Sequence, residues 1–285
     1  MSIDNTDNLY VMDSGNRVIR KIAPTGDVST LSGTYSAGAD LVSDANGNVL
    51  VISGAEIYRI SPDGTRSLLR TLPSGPDLPG DRNANGFSVD SKGTLHASYQ
   101  GFRQLVISIN QNDEAWGYTY IGGQMLAEHS VASDQQGNLA IAVSPEPEFG
   151  KRGILLIPAS AQTETIRSTE GLPQIEFEHN GYIEDMVYDA AGNLYIADSP
   201  AEGQTSTGIT ISRIAPDQSV STLFSGRPNT SGGSEPGIGI EMGIAVNKSG
   251  IVYFTDPSTH AIYKLNSSGE AVLVAGKPGE AGNAD

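Results

Sequence analysis

The sequence predicts an all-β chain folded as a six-bladed β-propeller with four antiparallel strands in each blade. Three observations point there: a hairpin phrase that recurs six times at one internal spacing, a third and a fourth extended run after every copy, and no window of sustained helical periodicity in 285 residues. The fullest copy runs from Asp185 to Asp198. Met186 to Tyr188 form a short extended run, Ala190 to Asn193 a turn, and Leu194 to Ala197 a returning strand. Gly192 can take the positive φ of such a turn without a Cβ clash. A lone hairpin buries too little apolar surface to offset the entropy of ordering it, so the copies must stack.

The copies close at Asp13, Ser53, Tyr99, Val143, Asp198 and Asp256, each nine residues after an opening Asp4, Asp44, Asp90, Asp134, Asp189 or Asn247. Successive openings lie 40 to 58 residues apart, the repeat length of propeller blades. Third strands are expected at Val18 to Ile22, Ile57 to Ile60, Leu105 to Ile109, Ile154 to Ile157, Ile209 to Ile214 and Ala261 to Leu265. The stretches after them, APTGD, SPDGT, NQND, PASAQ, APDQS and NSSGE, hold the residues that end strands and bend chains. The blades then fall at about 1–35, 36–80, 81–125, 126–170, 171–235 and 236–285, one domain whose two ends meet at a seam.

Composition narrows the function classes. With 17 basic and 33 acidic residues the formal net charge is −16, and no Lys/Arg cluster interrupts it, so nucleic acid and anionic membrane surfaces are not expected partners. The absence of Cys excludes disulfide staples, thiol catalysis and Cys-ligated zinc. No apolar run reaches the length that crosses a bilayer. Met1 stands inside an expected innermost strand, which reads as an added start on a monomeric domain of a longer secreted protein, extracellular or periplasmic.

The phrase GNLYIAD, with IRKI, ISRI and IYKL in the third strand and VSTLSG, VSTLFSG and VLVAGKPGEAGNAD in the fourth, resembles the NHL-repeat family of propellers. The resemblance covers the whole chain, most fully in blades 1, 5 and 6, and implies a single NHL-type domain. NHL propellers are similar in fold to the senescence-marker/gluconolactonase hydrolases, the peptidyl-amidating lyases and the streptogramin lyases, all metal-dependent enzymes, while many NHL domains are binding modules. The fold alone does not choose between them.

Two columns within the repeat read as structural. A base stands before the last apolar residue of the third strand in Lys21, Arg59, Arg213 and Lys264, and an Asp closes the second strand only where such a base exists, at Asp13, Asp198 and Asp256. The expectation is an ion pair, Asp198 with Arg213 and Asp256 with Lys264, each carboxylate meeting one of these bases in its own blade or the neighbouring one and fixing hairpin register. His96 in a second strand and His260 in a turn are expected to be structural. So are Trp116, Tyr118 and Tyr120 on one face of a fourth strand.

Function is sought where the repeat is broken. The loops Ser144 to Arg152 and Ser199 to Gly208, and the connections Glu170 to Glu184 and Arg227 to Glu241, elaborate one sector of one face, on blades 4 to 6. The residues just before the inner strands, Asp40, Asn85, Glu128, His129, Glu184, Asp185 and Glu241, are candidates to line the channel mouth. Oxygen donors with one imidazole suit Ca²⁺, Mg²⁺ or Mn²⁺, with Glu184, His129 and Asn85 as the metal candidates. Two functions follow: a non-catalytic extracellular module that binds a protein or glycan through this acidic loop face, or a metal-dependent hydrolase or lyase of lactonase type acting at the channel mouth.

Overall fold

The computed structural model describes residues 1–36, 38–72, 84–99, 105–112, 115–119, 130–143, 153–161, 173–176, 181–200, 208–228 and 242–282. It contains six four-stranded antiparallel sheets arranged as a β-propeller, each built from consecutive strands. Blade 1 is β1 (Ser2–Ile3), β2 (Leu9–Asp13), β3 (Val18–Ile22) and β4 (Val28–Leu31). Blade 2 is β5 (Asp40–Ser43), β6 (Val49–Ser53), β7 (Glu56–Ile60) and β8 (Arg66–Thr71). Blade 3 is β9 (Ala84–Val89), β10 (Leu95–Tyr99), β11 (Leu105–Ile109) and β12 (Ala115–Thr119). Blade 4 is β13 (Val131–Ser133), β14 (Leu139–Val143), β15 (Gly153–Ile157) and β16 (Gln174–Glu176). Blade 5 is β17 (Gly181–Tyr188), β18 (Leu194–Pro200), β19 (Ile209–Ile214) and β20 (Val220–Gly226). Blade 6 is β21 (Ile244–Val246), β22 (Val252–Asp256), β23 (Ala261–Leu265) and β24 (Ala271–Gly276).

The third strands stand where the sequence puts them. Blade 4 differs at its end: a 3-10 turn, Ala159–Ala161, follows β15. The Pro173 carbonyl accepts the Leu156 N–H at 2.9 Å, and β16, which follows it, lies beyond the expected limit at 170. Among the described residues no helix is long and apolar enough to cross a membrane. Of the elaborated loops only Ser199, Pro200, Gly208, the start of β17 and the Arg227 end are described; the rest lies outside the described residues.

The nine-residue phrase has a plain physical basis. The opening carboxylate caps the hairpin: Asp189 Oδ1 accepts the N–H of Ala191 and of Asn193, both at 2.9 Å, and Oδ2 accepts Asn193 Nδ2 at 2.7 Å. Asp44 and Asp134 repeat the set with Asn48 and Asn138, and Asn247 does the backbone part with its amide oxygen. Gly192 takes φ 84°, and blade 1 puts Asp7 at φ 62° in the same place. In blade 1 the cap is Asp4, which accepts the N–H groups of Thr6 and Asn8 and the Asn8 side-chain amide. Burial acts to raise its carboxyl, but donors from Asn8 and Thr6 outweigh this and bring it to about 2. A depressed carboxyl stabilises the fold fully above its ordinary 3.8 and loses that contribution as pH falls toward about 2. Urea midpoints of wild type and Asp4→Asn are therefore expected to converge across that window and to differ above it.

The expected ion pairs are corrected by the register. Tyr195 is opposite Arg213, and Asp198 is opposite Thr210, so Asp198 and Arg213 stand three positions apart on opposite faces of the sheet. The same holds in blade 6, with Tyr253 opposite Lys264 and Asp256 opposite Ala261. The base column belongs instead to the second-strand tyrosines. Lys21 Nζ lies 5.8 Å from the Tyr10 ring centroid, and Tyr10 Oη donates to Asp4 Oδ2 at 2.9 Å. Tyr195 Oη donates to Asp189 Oδ2 at 3.1 Å beside Arg213. The closing Asp caps the next turn: Asp256 Oδ1 accepts the Ser258 N–H at 3.1 Å and its hydroxyl at 2.6 Å, and Asp13 holds Asn16 likewise.

In blade 3, His96 replaces the tyrosine and Ser108 the base. His96 is fully buried, its Nδ1 lies 2.7 Å from Ser108 Oγ, and its Nε2 lies 3.9 Å from Asp90 Oδ2. Burial acts to raise the Asp90 carboxyl, and the neighbouring imidazole and the Thr94 and Lys92 amides overcome it, leaving it below its ordinary value. The expected structural role of His96 is met.

By contact the chain divides into two compact units, Met1–Val11 with Arg20–Thr30 and His179–Asp285, and Met12–Ile19 with Leu31–Glu178. In the first, the inner strand β1 packs beside β21, and β21 beside β17. A Cβ on Gly243 would fall 2.7 Å from Met1 Cβ, so the first strand closes against the sixth blade as expected, though Asp285 itself lies outside the described residues. Its core gathers Tyr195, Ile211, Ile244, Phe254 and Tyr263. In the second, β5 packs beside β9 and β9 beside β13, around Leu50, Ile57, Phe87, Leu95 and Ile107.

Candidate functional site

The inner strand β17 is the longest of the six among the described residues, and its pairing with β18 is interrupted once: Ile183 opposes Asp198 and Asp185 opposes Ala197, leaving Glu184 as the extra residue of a β-bulge. A bulge bends the strand and re-aims one side chain. Ser199 Oγ, itself buried, donates a short hydrogen bond to Glu184 Oε1. Asp198 is only 3% exposed, so Glu184, Asp185 and Asp198 share one end of the β17–β18 hairpin.

Blade 3 repeats the irregularity. Ser98 opposes Gly86 and Tyr99 opposes Ala84, which makes Asn85 the bulge residue of β9. Asn85 and Glu184 thus hold the same place, five residues before the turn carboxylates Asp90 and Asp189. His129 holds it in blade 4 by sequence; His129, Glu128 and Glu241 lie outside the described residues. The described candidates Asp40, Asn85, Glu184 and Asp185 are therefore strand residues, whereas the sequence reads them as the ends of loops.

Asp185 and Asp40 both bond to backbone amides of inner strands. Asp185 Oδ1 accepts the N–H of Met186 at 2.8 Å, and Oδ2 accepts the N–H of Ile244, on the inner strand of blade 6, at 2.9 Å. Asp40 Oδ1 accepts Leu41 N–H at 2.7 Å, and its carboxylate also takes the N–H of Phe87 on the inner strand of blade 3. Burial raises the Asp40 carboxyl, and these two amides oppose the rise. Each Asp bridges two neighbouring inner strands, satisfying a backbone amide of the next blade. Blade 6, with Gly243 at this place, borrows Thr255, whose Oγ1 accepts Gly243 N–H at 2.7 Å.

The arrangement offers carboxylate and hydroxyl oxygens, which match hard divalent cations. Among the described residues no three His, Cys, Asp or Glu side chains converge to hold a metal ion. Sequence reading missed Ser199 and the buried end of β18. The signal was there in the alternation of GYIEDMVY, which extends the inner strand back to Gly181 and draws Ser199 into its ladder opposite Tyr182.

No protein-family model matches the chain, and no curated protein matches it by sequence. In fold it is similar to virginiamycin B lyase from Staphylococcus aureus, at 14% identity and TM-score 0.55 over 95% of this chain and 81% of that one. It is also similar to the calcium-binding protein regucalcin from Agrobacterium tumefaciens (14%, 0.58, 89% and 80%) and to a gluconolactonase from Xanthomonas campestris (14%, 0.50, 82% and 73%). These neighbours are six-bladed propeller proteins, and at such identities what this chain shares with them is that fold.

Proposed function

We propose that this protein is a metal-dependent hydrolase or lyase that works at the starts of its inner strands, with Glu184 as a metal-binding carboxylate. One observation carries the reading: the inner pair of blade 5, β17 with β18, is broken at Glu184, and the matching break in the inner pair of blade 3 falls on Asn85. A propeller blade gains no pairing energy from a bulge, and bulges are concentrated beside sites where a side chain must be re-aimed. Likeness in fold to a lyase and a gluconolactonase supports the enzyme reading over a purely adhesive one. Asn85 and His129 are the remaining metal-binding candidates.

A bound divalent cation would supply a Lewis acid for a carbonyl or a lowered pKa for a water. The chain's own residues do the rest. Ser199 holds one oxygen of Glu184 through its hydroxyl and fixes the carboxylate's orientation. Asp185, anchored to Met186 and Ile244, fixes the strand that carries it.

Calorimetry with Ca²⁺, Mg²⁺ and Mn²⁺ tests the proposal. Wild type is expected to bind one of them, and Glu184→Ala to bind roughly 10- to 100-fold more weakly or not at all. Asn85→Ala and His129→Ala, each measured separately, assign the other two candidates. No heat with any ion on wild type would remove the metal-enzyme reading and leave the protein- or glycan-binding module on the loops of blades 4 to 6.

A further inference from the structure

We propose that the cleft between blades 2 and 3 is a binding site for a phenolic ring, with the chain's own tyrosines as its template. The cleft has a volume of about 310 Å³, and Asp44, Asn48, Leu50, Arg59, Val89 and Leu95 are among the residues that line it. That is at the lower end of the range, about 300–1,000 Å³, that holds small organic ligands. It opens on the hairpin-turn side of the two blades, beside the turns that begin at Asp44 and Asp90.

The argument comes from comparing equivalent places in the repeat. In blades 1 and 5 the second strand carries Tyr10 and Tyr195. Each hydroxyl donates to Oδ2 of the turn carboxylate, Asp4 at 2.9 Å and Asp189 at 3.1 Å, and each ring has a base as neighbour, Lys21 or Arg213. Oδ2 of each carboxylate therefore accepts two donors, the tyrosine and the amide of Asn8 or Asn193.

Blade 2 keeps every part of this arrangement except the ring. Asp44 is capped by Asn46 and Asn48 in the same geometry, and its Oδ2 takes Asn48 Nδ2 at 2.7 Å. Arg59 stands opposite position 50, as Arg213 stands opposite Tyr195. Position 50 itself is Leu, which is shorter than Tyr and carries no hydroxyl. The cleft is lined by this same set, with Leu50, Val89 and Leu95 as an apolar wall, the exposed Arg59 as the cation and Asp44 as the acceptor. A flat ring seated here lies beside the Arg59 guanidinium and donates its hydroxyl to Asp44 Oδ2, as the Tyr10 ring lies beside Lys21 and its hydroxyl donates to Asp4 Oδ2.

Ligand-observed NMR titration of the full chain with p-cresol, toluene and N-acetyltyrosinamide tests this. Wild type is expected to bind p-cresol, and to bind toluene, which lacks the donor, roughly tenfold more weakly. The tighter of p-cresol and N-acetyltyrosinamide tells whether the site takes a free phenol or a tyrosyl side chain. Leu50→Tyr fills the cleft from within and should abolish p-cresol binding. Arg59→Ala, at an exposed position that does not endanger folding, should weaken it roughly two- to fivefold. The proposal is overturned if wild type does not bind p-cresol, if toluene binds as well, or if both variants bind p-cresol as wild type does.

Discussion

Phe254→Ala is expected to destabilise the protein by about 3–5 kcal/mol, the largest effect of any single substitution considered for blade 6. The Phe254 side chain is fully buried on β22, with the Phe224 ring at 5.8 Å and the Tyr263 ring at 5.7 Å between centroids. Truncation removes the transfer free energy of a whole ring and opens a cavity between blades 5 and 6, and it also forfeits two aromatic contacts worth about 0.5–1.5 kcal/mol each. Collapse around the gap is limited because the neighbours are strands fixed by their own ladders. In urea the midpoint should fall with the slope unchanged. Phe254→Leu, which keeps most of the volume, should cost about 1–2 kcal/mol. A loss below about 1 kcal/mol for the alanine variant would mean that the ring is not enclosed in solution.

Asp185→Ala should follow, at about 2–4 kcal/mol, although Asp185 is not fully buried. The carboxylate accepts two backbone amides, Met186 in its own strand and Ile244 in the next blade. Removing it leaves both donors without their charged acceptor, and the equivalent residue of blade 6 is Gly243, which has no side chain to take over. Asp185→Asn keeps a neutral acceptor for one amide and is expected to lose about half as much. Hydrogen exchange separates this from a general loss of stability: the Ile244 amide should lose protection in both variants ahead of the amides of β22 and β23. Equal loss of protection across blade 6 would argue that Asp185 acts only through global stability.

The two acidic residues next to each other in the chain show how differently sequence and structure speak. Glu184 and Asp185 look alike in a sequence, as carboxylates just ahead of an inner strand. One is the extra residue of a bulge, held by Ser199, and the other is tied to backbone amides of two blades. Asp198 and Arg213 show the reverse case, a plausible pair that the pleat sends to opposite faces because their offset is odd.

What the sequence by itself determined is whatever depends on neighbours within a few residues. The Asp-x-x-Gly-Asn turn, the third strands and the six-fold repeat are of this kind, because a cap bonds two to four positions away and a strand's faces alternate along its own length. The buried place of His96 in a second strand follows the same rule. What only the tertiary structure decided is where blades meet and how strands register: the Asp40 and Asp185 bridges, the cleft left by Leu50, the bulges at Asn85 and Glu184, and the pairing of bases with tyrosines instead of with the closing Asp. The bridges and the cleft join residues of different blades, while the bulges and the base–tyrosine pairs depend on strand register within a blade, where a shift of one residue exchanges the two faces of a strand without changing its composition.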